Sequence, residues 1–183
     1  MKDATYRIVV MGVSGSGKSR IGALLASRLG VAFIDGDDYH SPANVDKMAN
    51  GIPLDDEDRR EWLETLAGLI GDHRRRDASL VLACSALKQR YRDILRRGDS
   101  ELAFLFLEGE REQLRQRLAA REEHFFRGEA MLDSQLHDLE PPTEAEAVVC
   151  SIGETPETIV ETFLEGFPDG AAAHPPPRAL SVG

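Results

Sequence analysis

The segment GVSGSGKS, residues 12–19, brings three glycines and a lysine together between an apolar run and a helical pattern. Gly12, Gly17, Lys18 and Ser19 fit the spacing GxxxxGK[ST], which is typical of a loop that binds phosphate groups. Backbone N–H groups in such a loop surround an anion, and the N-terminal end of the next helix adds positive potential. We therefore expect Lys18 to reach the β- and γ-phosphates of a nucleotide and Ser19 Oγ to ligate Mg²⁺.

The whole loop is expected to contact the phosphates of the nucleotide. The residues concerned are Gly12, Val13, Ser14, Gly15, Ser16, Gly17, Lys18 and Ser19. A flexible Gly/Ser turn is the alternative interpretation, because glycine and serine are common in loops that bind nothing. The strand pattern before the loop and the helix pattern after it favour a phosphate-binding loop.

A second cluster, FIDGDDYH at residues 33–40, follows the next apolar run. In an open α/β sheet the carboxyl ends of the strands face the ligand crevice, so Asp35 and Asp37 are expected to point towards the phosphates. Asp38 and His40 follow closely enough to join them. A carboxylate at this place can order the waters around Mg²⁺ or accept the proton of an attacking hydroxyl. An isolated acidic cluster is more often a solvated turn, but its position beside a phosphate loop favours a functional role.

Five apolar segments of strand length occur along the chain, at residues 6–11, 31–35, 79–84, 102–108 and 146–150. Their apolar residues are nearly continuous rather than alternating, which is expected when both faces of a parallel sheet are covered. Helical patterns lie between the segments. Alternating strands and helices, with a phosphate loop after the first strand, predict a doubly wound α/β domain with a five-stranded parallel sheet.

The helical patterns and the length of the chain point to a single domain. One pattern follows the loop directly, and others cover residues 56–70, 88–97, 111–121 and 156–167. The chain has 183 residues, which suits one domain with a sizeable core, and we place that domain at residues 1–167. The remaining segment, residues 168–183, is rich in Ala, Pro and Gly and is expected to be disordered.

The composition excludes several classes of protein. A formal net charge of −10 argues against a general nucleic-acid binder, although local arginines can still bind an anionic substrate. Apolar runs all fall short of a membrane span, and the N-terminal MKDATYR lacks the features of a signal peptide. Cys84 and Cys150 lie in apolar runs, which indicates core packing in a reducing cytosol. We expect a cytoplasmic protein that binds neither nucleic acid nor membranes.

Five motifs follow one another along the chain: GVSGSGKS, DGDDYH, KMANGIPLDDEDRREWL, LACSALKQRYRDILR and HFF…LDSQ…LEPP, which cover most of residues 6–150. In content and order they resemble the gluconokinase family. The resemblance implies a fold like that of shikimate kinase and the nucleoside-monophosphate kinases, with helices on both faces of the sheet and a mobile lid. It also implies transfer of the γ-phosphoryl group of ATP to the 6-hydroxyl of D-gluconate, with Mg²⁺, to give 6-phospho-D-gluconate. Family members commonly pair, so a homodimer is expected as well.

The same resemblance assigns roles to residues of the acidic cluster. Asp37 resembles the carboxylate that binds the substrate hydroxyl and is a candidate base, and with Lys18 it is expected to be catalytic. Asp35 resembles the residue that holds a Mg²⁺-bound water. His40 is similar to a residue that contacts the polyol.

Two basic residues are candidates for binding the substrate, because gluconate is an anion and its site needs a cation. Arg59, within DDEDRREWL, matches an arginine at this helix start in related kinases, and a bidentate clamp is its expected role. The alternative is a surface arginine paired with Asp55 or Asp56. Lys88 follows the third strand segment, where the crevice again lies, and a solvated helix lysine is an equally weighted alternative.

The segment at about residues 121–135 resembles the lid that closes over ATP in such kinases. Lid closure excludes water, which otherwise competes with the hydroxyl for the phosphoryl group. Arg121, at the entry to the lid, is expected to be catalytic, and His124 and Gln135 are expected to contact the substrate. The chain departs from the family pattern at Phe126-Arg127, where many members carry Met-Pro, and this departure bears on the stiffness of the lid.

Two other functions stay open at this point. A kinase for another small polyol acid, such as shikimate, would use the same loop, but the third strand segment ends in ACSALK rather than the glycine-rich turn of shikimate kinases. A non-catalytic nucleotide-binding protein would have kept the loop and lost the chemistry. The intact Lys18, Asp35 and Asp37 argue against that function.

Overall fold

A computed structural model describes residues 5–121 and 125–166, and its centre is a sheet of five parallel strands. The strands are Arg7–Met11 (β1), Ala32–Asp35 (β2), Leu80–Ala83 (β3), Ala103–Glu108 (β4) and Val148–Ser151 (β5). Their order in the sheet is β2-β3-β1-β4-β5, and every neighbouring pair is parallel. This confirms the five strands that the apolar segments predicted.

Seven α-helices and one 3₁₀ turn connect these strands within the described residues. They are Lys18–Leu29 (α1), Pro42–Ala49 (α2), Asp56–Arg75 (α3), Gln89–Arg96 (α4), Arg111–Ala119 (α5), Phe125–Asp138 (α6) and Pro156–Glu165 (α7), with the 3₁₀ turn at Gly36–Tyr39. The helical patterns in the sequence did not predict α2 or α6. Nowhere in the described ranges does a helix combine the length and the hydrophobicity that a membrane span requires.

The central strand β1 is buried along its whole length. Successive side chains of a strand point to opposite faces, so full burial of both Ile8 and Val9 requires cover on both faces. Helix α1 packs against β1, β2, β3 and α7, and helix α3 packs against β1 and α4. Helices therefore cover both faces of the sheet, as the continuous apolar segments predicted.

The strand order changes direction at β1. In the sheet, β2 and β3 lie on one side of β1, and β4 and β5 lie on its other side. Such a switch point leaves a crevice at the carboxyl ends of the strands, where α/β proteins bind their ligands. The phosphate loop follows β1 directly and so lies at this crevice.

Helix α3 begins with reciprocal hydrogen bonds that fix its first turn. Asp55 Oδ1 accepts from Asp58 N at 2.8 Å, and Asp58 Oδ2 accepts from Asp55 N at 3.0 Å. The helix buries one stripe of side chains, which includes Trp62 and Leu66. Arg59 lies on the same stripe, three residues before Trp62, so the helix directs this charged side chain inwards.

Arg92 in α4 fastens the loop that follows β3. Its side chain is buried; Nη1 donates to Ala86 O at 2.8 Å and Nε to Glu146 Oε1 at 3.0 Å. These charge-assisted hydrogen bonds offset the cost of burying the guanidinium group. The loop is also joined to the phosphate loop, because Ser85 O accepts from Gly12 N at 3.3 Å.

The packing of α4 against α3 leads to a testable prediction about stability. A Cβ on Gly98, just after α4, would lie 2.4 Å from Ala67 O, a backbone atom of α3 that cannot move alone. We expect Gly98→Ala to lower the free energy of unfolding by about 1–3 kcal/mol through overpacking. Urea unfolding followed by circular dichroism measures this change.

Gly68→Ala is the matched control for this variant. Gly68 lies inside α3, but a Cβ there would have no atom within 4 Å. We expect this substitution to raise the free energy of unfolding by about 0.5–1 kcal/mol, because alanine favours a helix interior. Equal effects of the two substitutions would contradict the close approach of α3 and α4 at Gly98.

Candidate active site

The segment between β1 and α1 closes into a tight loop at the carboxyl end of the central strand. Gly12 has a φ of +154°, and a Cβ there would come within 2.7 Å of Ser16 Oγ and 3.0 Å of Leu107 O. Gly15 and Gly17 have φ values of +86° and +91°, which residues with a Cβ rarely adopt. The glycines therefore allow the backbone to fold into the concave shape that surrounds an anion.

Two polar side chains of the loop fit a bound nucleoside triphosphate. Ser16 Oγ is buried and has no hydrogen-bond partner among the residues that the structure describes, so a ligand oxygen would satisfy it. Lys18 Nζ donates to Val13 O at 3.2 Å, which uses one of its three N–H donors. Burial lowers the pKa of Lys18, and the charges of Asp37 and Asp35 oppose that shift. Negative charge close to Nζ therefore stabilises the protonated amine.

Ser19 and Asp35 form an oxygen pair that fits Mg²⁺. Ser19 Oγ donates to Asp35 Oδ2 at 2.6 Å, and Asp35 Oδ1 accepts from Asp37 N at 3.0 Å, which fixes the carboxylate. Within the described ranges no three His, Cys, Asp or Glu residues cluster as metal ligands. Mg²⁺ bound with a nucleotide takes few protein ligands and completes its shell with waters and phosphates, so the pair is sufficient.

A cavity of about 350 Å³ opens beside the phosphate loop. It brings together six of the residues predicted from the sequence: Ser14, Lys18, Asp37, His40, Arg59 and Gln135. Met48 and Trp62 contribute apolar parts of its wall. The cavity thus combines two cations, a carboxylate and neutral hydrogen-bonding groups, which suits a small anion that carries hydroxyl groups.

His40 is held in the cavity wall by Trp62. The two rings stack with their centroids 4.0 Å apart and an interplanar angle of 19°. Trp62 is itself fixed, because its Nε1 donates to Gly36 O at 2.8 Å. Burial, with the positive charge of Arg59, lowers the pKa of His40 to about 4. His40 is therefore a neutral group of the site near pH 7.

Asp37 lies at the mouth of the same cavity, with Oδ1 3.9 Å from His40 Nε2. Desolvation raises the pKa of its carboxyl, Lys18 lowers it, and the neighbouring carboxylates of Asp35 and Asp38 raise it further. A carboxylate with a raised pKa accepts a proton more readily than an ordinary one. The position and environment of Asp37 are consistent with the role of base, which stays a prediction.

Arg59 is buried, with 4% of its surface exposed. Its Nη1 donates to Asp138 Oδ2 at 2.8 Å and to Tyr91 Oη at 3.0 Å. The alternative interpretation of Arg59, a surface arginine paired with Asp55 or Asp56, is wrong because α3 turns this side chain into the cavity. One nitrogen of the guanidinium group, Nη1, is thus anchored while Arg59 lines the cavity.

Lys88 lies outside the main cavity. It lines an adjoining depression together with Arg59 and Asp138, and its Nζ donates to Asp56 Oδ1 at 3.0 Å. Asp56 also accepts from Tyr91 Oη and Arg90 Nη2. In this arrangement Lys88 supports the residues around Arg59, and its predicted contact with the substrate has no support from the geometry.

A second cavity, of about 460 Å³, touches the phosphate loop at Ser16 and Gly17. Arg117 and Arg121 line it together with Ile152 from the segment after β5. Arg117 Nη2 donates to Ile152 O, so the helix α5 and this segment form one wall. Aliphatic surface with guanidinium groups suits the flat face of a nucleotide base. The catalytic role of Arg121 stays a prediction, and His124 lies outside the described residues.

Gln135 joins the lid region to the phosphate loop. It belongs to α6, and its Oε1 accepts from Ser14 N at 2.8 Å. On the other side α6 is tied to α5, because Arg111 Nε donates to Asp133 Oδ1 at 2.7 Å. The predicted lid segment thus overlaps a helix that reaches both the loop and the substrate cavity. Its mobility stays a prediction.

Three residues near the cavity were missed by the sequence-based reasoning. Tyr91 and Asp138 anchor Arg59, and they are 32 and 79 residues away from it along the chain. Asn44 is a buried amide in α2 that contacts His40. This helix has eight residues and two large apolar ones, Val45 and Met48, so its sequence offers little indication that Asn44 is buried. The sequence carried no signal for the other two, because their role depends on contacts between distant elements.

The comparisons with known proteins place the chain among small-molecule kinases. The model of the shikimate kinase family matches residues 14–167. The thermoresistant gluconokinase of Escherichia coli K12 is 40% identical over 164 residues, which cover 88% of this chain and 93% of the relative. The gluconokinase of Gluconobacter oxydans 621H is 41% identical and covers 87% of this chain and 90% of its own length.

Solved structures agree with these relatives. A gluconokinase from Sinorhizobium meliloti 1021 superposes with a TM-score of 0.76 at 40% identity and covers 94% of this chain and 92% of its own. A sugar kinase from Janibacter sp. HTCC2649 gives a TM-score of 0.83 at 41% identity, with 88% and 93% covered. The shikimate kinase of Aquifex aeolicus, at 15% identity and a TM-score of 0.56, shares the fold.

The five-stranded parallel sheet, the glycine loop after β1 and the adjoining cavity define a phosphate-loop kinase that uses ATP to phosphorylate a small molecule. Within this class, the chain belongs to the gluconokinase family.

The low pKa of His40 leads to a prediction about stability and pH. In the unfolded chain His40 binds a proton below about pH 6.5, whereas the folded protein binds it only near pH 4. Stability that depends on His40 is therefore lost as the pH falls from 6.5 to 4. We expect this loss to reach about 2 kcal/mol at pH 5.

The variant His40→Gln tests this prediction by urea unfolding at several pH values between 7.5 and 5. The wild-type protein is expected to lose more stability over this range than His40→Gln, because glutamine does not titrate. Curves that stay parallel over the whole range would contradict the burial of a neutral histidine at this position.

Proposed function

We propose that this protein transfers the γ-phosphoryl group of ATP to the 6-hydroxyl of D-gluconate and forms 6-phospho-D-gluconate. The observation that carries the proposal is the single cavity that contains Lys18, Asp37 and Arg59. Gluconokinases about 40% identical to this chain over most of its length support the choice of substrate.

The cavity offers a matching group for each part of D-gluconate. Arg59 is a permanent cation, and a guanidinium group binds a carboxylate through paired hydrogen bonds. Asp37, His40 and Gln135 offer acceptors and donors for hydroxyl groups. Because Arg59 is already fixed by Tyr91 and Asp138, little side-chain entropy is lost when the carboxylate binds.

The transfer step needs a proton acceptor and positive charge around the phosphoryl group. Asp37 accepts the proton of the 6-hydroxyl as the bond between O6 and the γ-phosphorus forms and the bond to the bridging oxygen of ADP breaks. Lys18 and the N–H groups of the phosphate loop stabilise the charge on the transferred group. Mg²⁺, held by Ser19 Oγ and through a water by Asp35, would supply further positive charge at the phosphates.

Four broader features of the enzyme also remain proposals. Closure of the segment at about residues 121–135 over the nucleotide would exclude water from the transfer step. Arg121 and His124 are expected to act from this segment. A homodimer and a cytoplasmic location follow from the family resemblance and from the two buried thiols, Cys84 and Cys150.

The substrate is tested by an assay that couples ADP release to NADH oxidation, with ATP, Mg²⁺ and a panel of acceptors. We expect strong activity with D-gluconate and background activity with shikimate, glucose and no acceptor. Activity with another aldonate or with shikimate instead would overturn the substrate and keep the kinase. ATP consumption that is independent of every acceptor would contradict the proposal.

Asp37→Asn tests the proton acceptor. The amide keeps the size of the side chain but cannot take the proton, so kcat is expected to fall about 100-fold or more, with a smaller change in KM for ATP. Asp38→Asn is the matched control, because Asp38 is the next carboxylate along the chain and does not line the cavity. Steady-state rates with D-gluconate measure both variants, and near-normal turnover of Asp37→Asn would rule out the base.

A further inference from the structure

His40 and Asn44 form a buried polar pair at the edge of the substrate cavity. The side chain of His40 is 4% exposed and lines the cavity, and Asn44 in α2 is also 4% exposed. His40 Nδ1 lies 3.4 Å from Asn44 Nδ2. Neither the phosphate loop nor the acidic cluster explains a buried amide at this position.

The orientation of the Asn44 amide follows from its second partner. Asn44 Nδ2 lies 2.8 Å from Asp58 O, a backbone carbonyl that can only accept a hydrogen bond. The NH₂ group of the amide must therefore occupy the Nδ2 position, and it donates both to Asp58 O and towards His40 Nδ1. The backbone of Asn44 is fixed as well, because its N–H donates to Ser41 Oγ at 3.1 Å.

An NH₂ group has no lone pair for a hydrogen bond, so His40 Nδ1 has to be the acceptor of this pair. We infer that Asn44 is a positioning residue that holds His40 in the neutral form with its proton on Nε2, so that His40 donates a hydrogen bond into the substrate cavity. The position of the proton on His40 does not depend on which substrate the protein binds. The effect on D-gluconate binding rests on the proposed function.

The surroundings of His40 agree with a neutral ring. Burial and the charge of Arg59 lower its pKa to about 4. Within the described part of the chain, Asp37 is the carboxylate that lies beside the ring, and its Oδ1 is 3.9 Å from Nε2, too far for a direct hydrogen bond. Trp62 covers one face of the ring. The proton on Nε2 is therefore available to a ligand.

The gap between His40 Nε2 and Asp37 Oδ1 fits one hydroxyl oxygen that bonds to both. That oxygen would accept from Nε2–H and donate its own proton to the carboxylate of Asp37. With the proton on Nδ1 instead, Nε2 and Asp37 would both be acceptors, and a hydroxyl could satisfy only one of them. The form set by Asn44 thus makes the pair selective for a hydroxyl group of the substrate.

The position of the proton is measured on the free protein by long-range ¹H–¹⁵N correlation with ¹⁵N-labelled histidine. The chain contains five histidines, and the signals of His40 are identified by their loss in His40→Gln. We expect a protonated Nε2 and an unprotonated Nδ1 at pH 7.5. A proton on Nδ1, or a doubly protonated ring, would overturn the inference whether or not the protein phosphorylates D-gluconate.

Asn44→Asp tests the role of Asn44, because a carboxylate beside Nδ1 can only accept. We expect the proton of His40 to move to Nδ1 and KM for D-gluconate to rise tenfold or more, with KM for ATP changed less than twofold. Asn50→Asp is the matched control. Asn50 follows the same helix, is exposed, and donates its Nδ2 to a backbone carbonyl, Asp46 O, at 2.8 Å. It should leave both the His40 signals and KM unchanged.

The outcomes separate this inference from the proposed function. If His40 keeps its proton on Nε2 in Asn44→Asp, Asn44 does not set the tautomer and the inference fails. If the signals shift but KM for D-gluconate does not, the tautomer has no role in binding and the second half fails. If Asn44→Asp folds poorly, Asn44→Ala replaces it and is expected to show mixed tautomers of His40. Loss of the proposed function would appear in the acceptor panel with the wild-type protein.

Discussion

The candidate site depends on holding two cations, Lys18 and Arg59, in a cavity where water solvates them only partly. Burying a charge without a partner costs several kcal/mol, so each cation needs nearby negative charge or hydrogen-bond acceptors. Arg59 has Asp138 and Tyr91, and Lys18 has Val13 O with the carboxylates of the acidic cluster. These partners engage only part of each cation. We propose that phosphates and a substrate carboxylate complete the arrangement, so that a protein with a net charge of −10 binds two anions in one crevice.

Each element around the crevice contributes to this charge arrangement. The glycines after β1 let the backbone fold into a concave loop, and the capped start of α3 turns Arg59 inwards. The helix α6 carries Gln135, which contacts the phosphate loop, and ends at Asp138, which pairs with Arg59. One helix of the lid region therefore contacts both the nucleotide side and the substrate side. A movement of α6 would change the loop and the anchor of Arg59 together.

The sequence predicts the sheet and the phosphate loop well, because both depend on local patterns. Continuous apolar segments mark the buried strands, and the glycine and lysine spacing marks the loop. The short helix α2 escaped prediction because it has eight residues and its two large apolar side chains, Val45 and Met48, are not buried; Asn44 is. The substrate side was harder to predict, because it is built from tertiary contacts: Tyr91 and Asp138 reach Arg59 from distant parts of the chain, and Lys88 turns to Asp56 instead of the cavity.

The most direct test of the account is the affinity of D-gluconate for Arg59→Met, measured by isothermal titration calorimetry beside the wild-type protein and Arg60→Met. Arg60 is the adjacent, exposed arginine of α3, paired with Glu57 and Glu64 on the surface. Loss of a charge-assisted clamp predicts affinity about 30-fold weaker or worse for Arg59→Met. Arg60→Met should bind D-gluconate as the wild-type protein does, and all three should bind a non-hydrolysable ATP analogue equally. Unchanged affinity for D-gluconate in Arg59→Met would contradict the claim that this buried cation receives the substrate carboxylate.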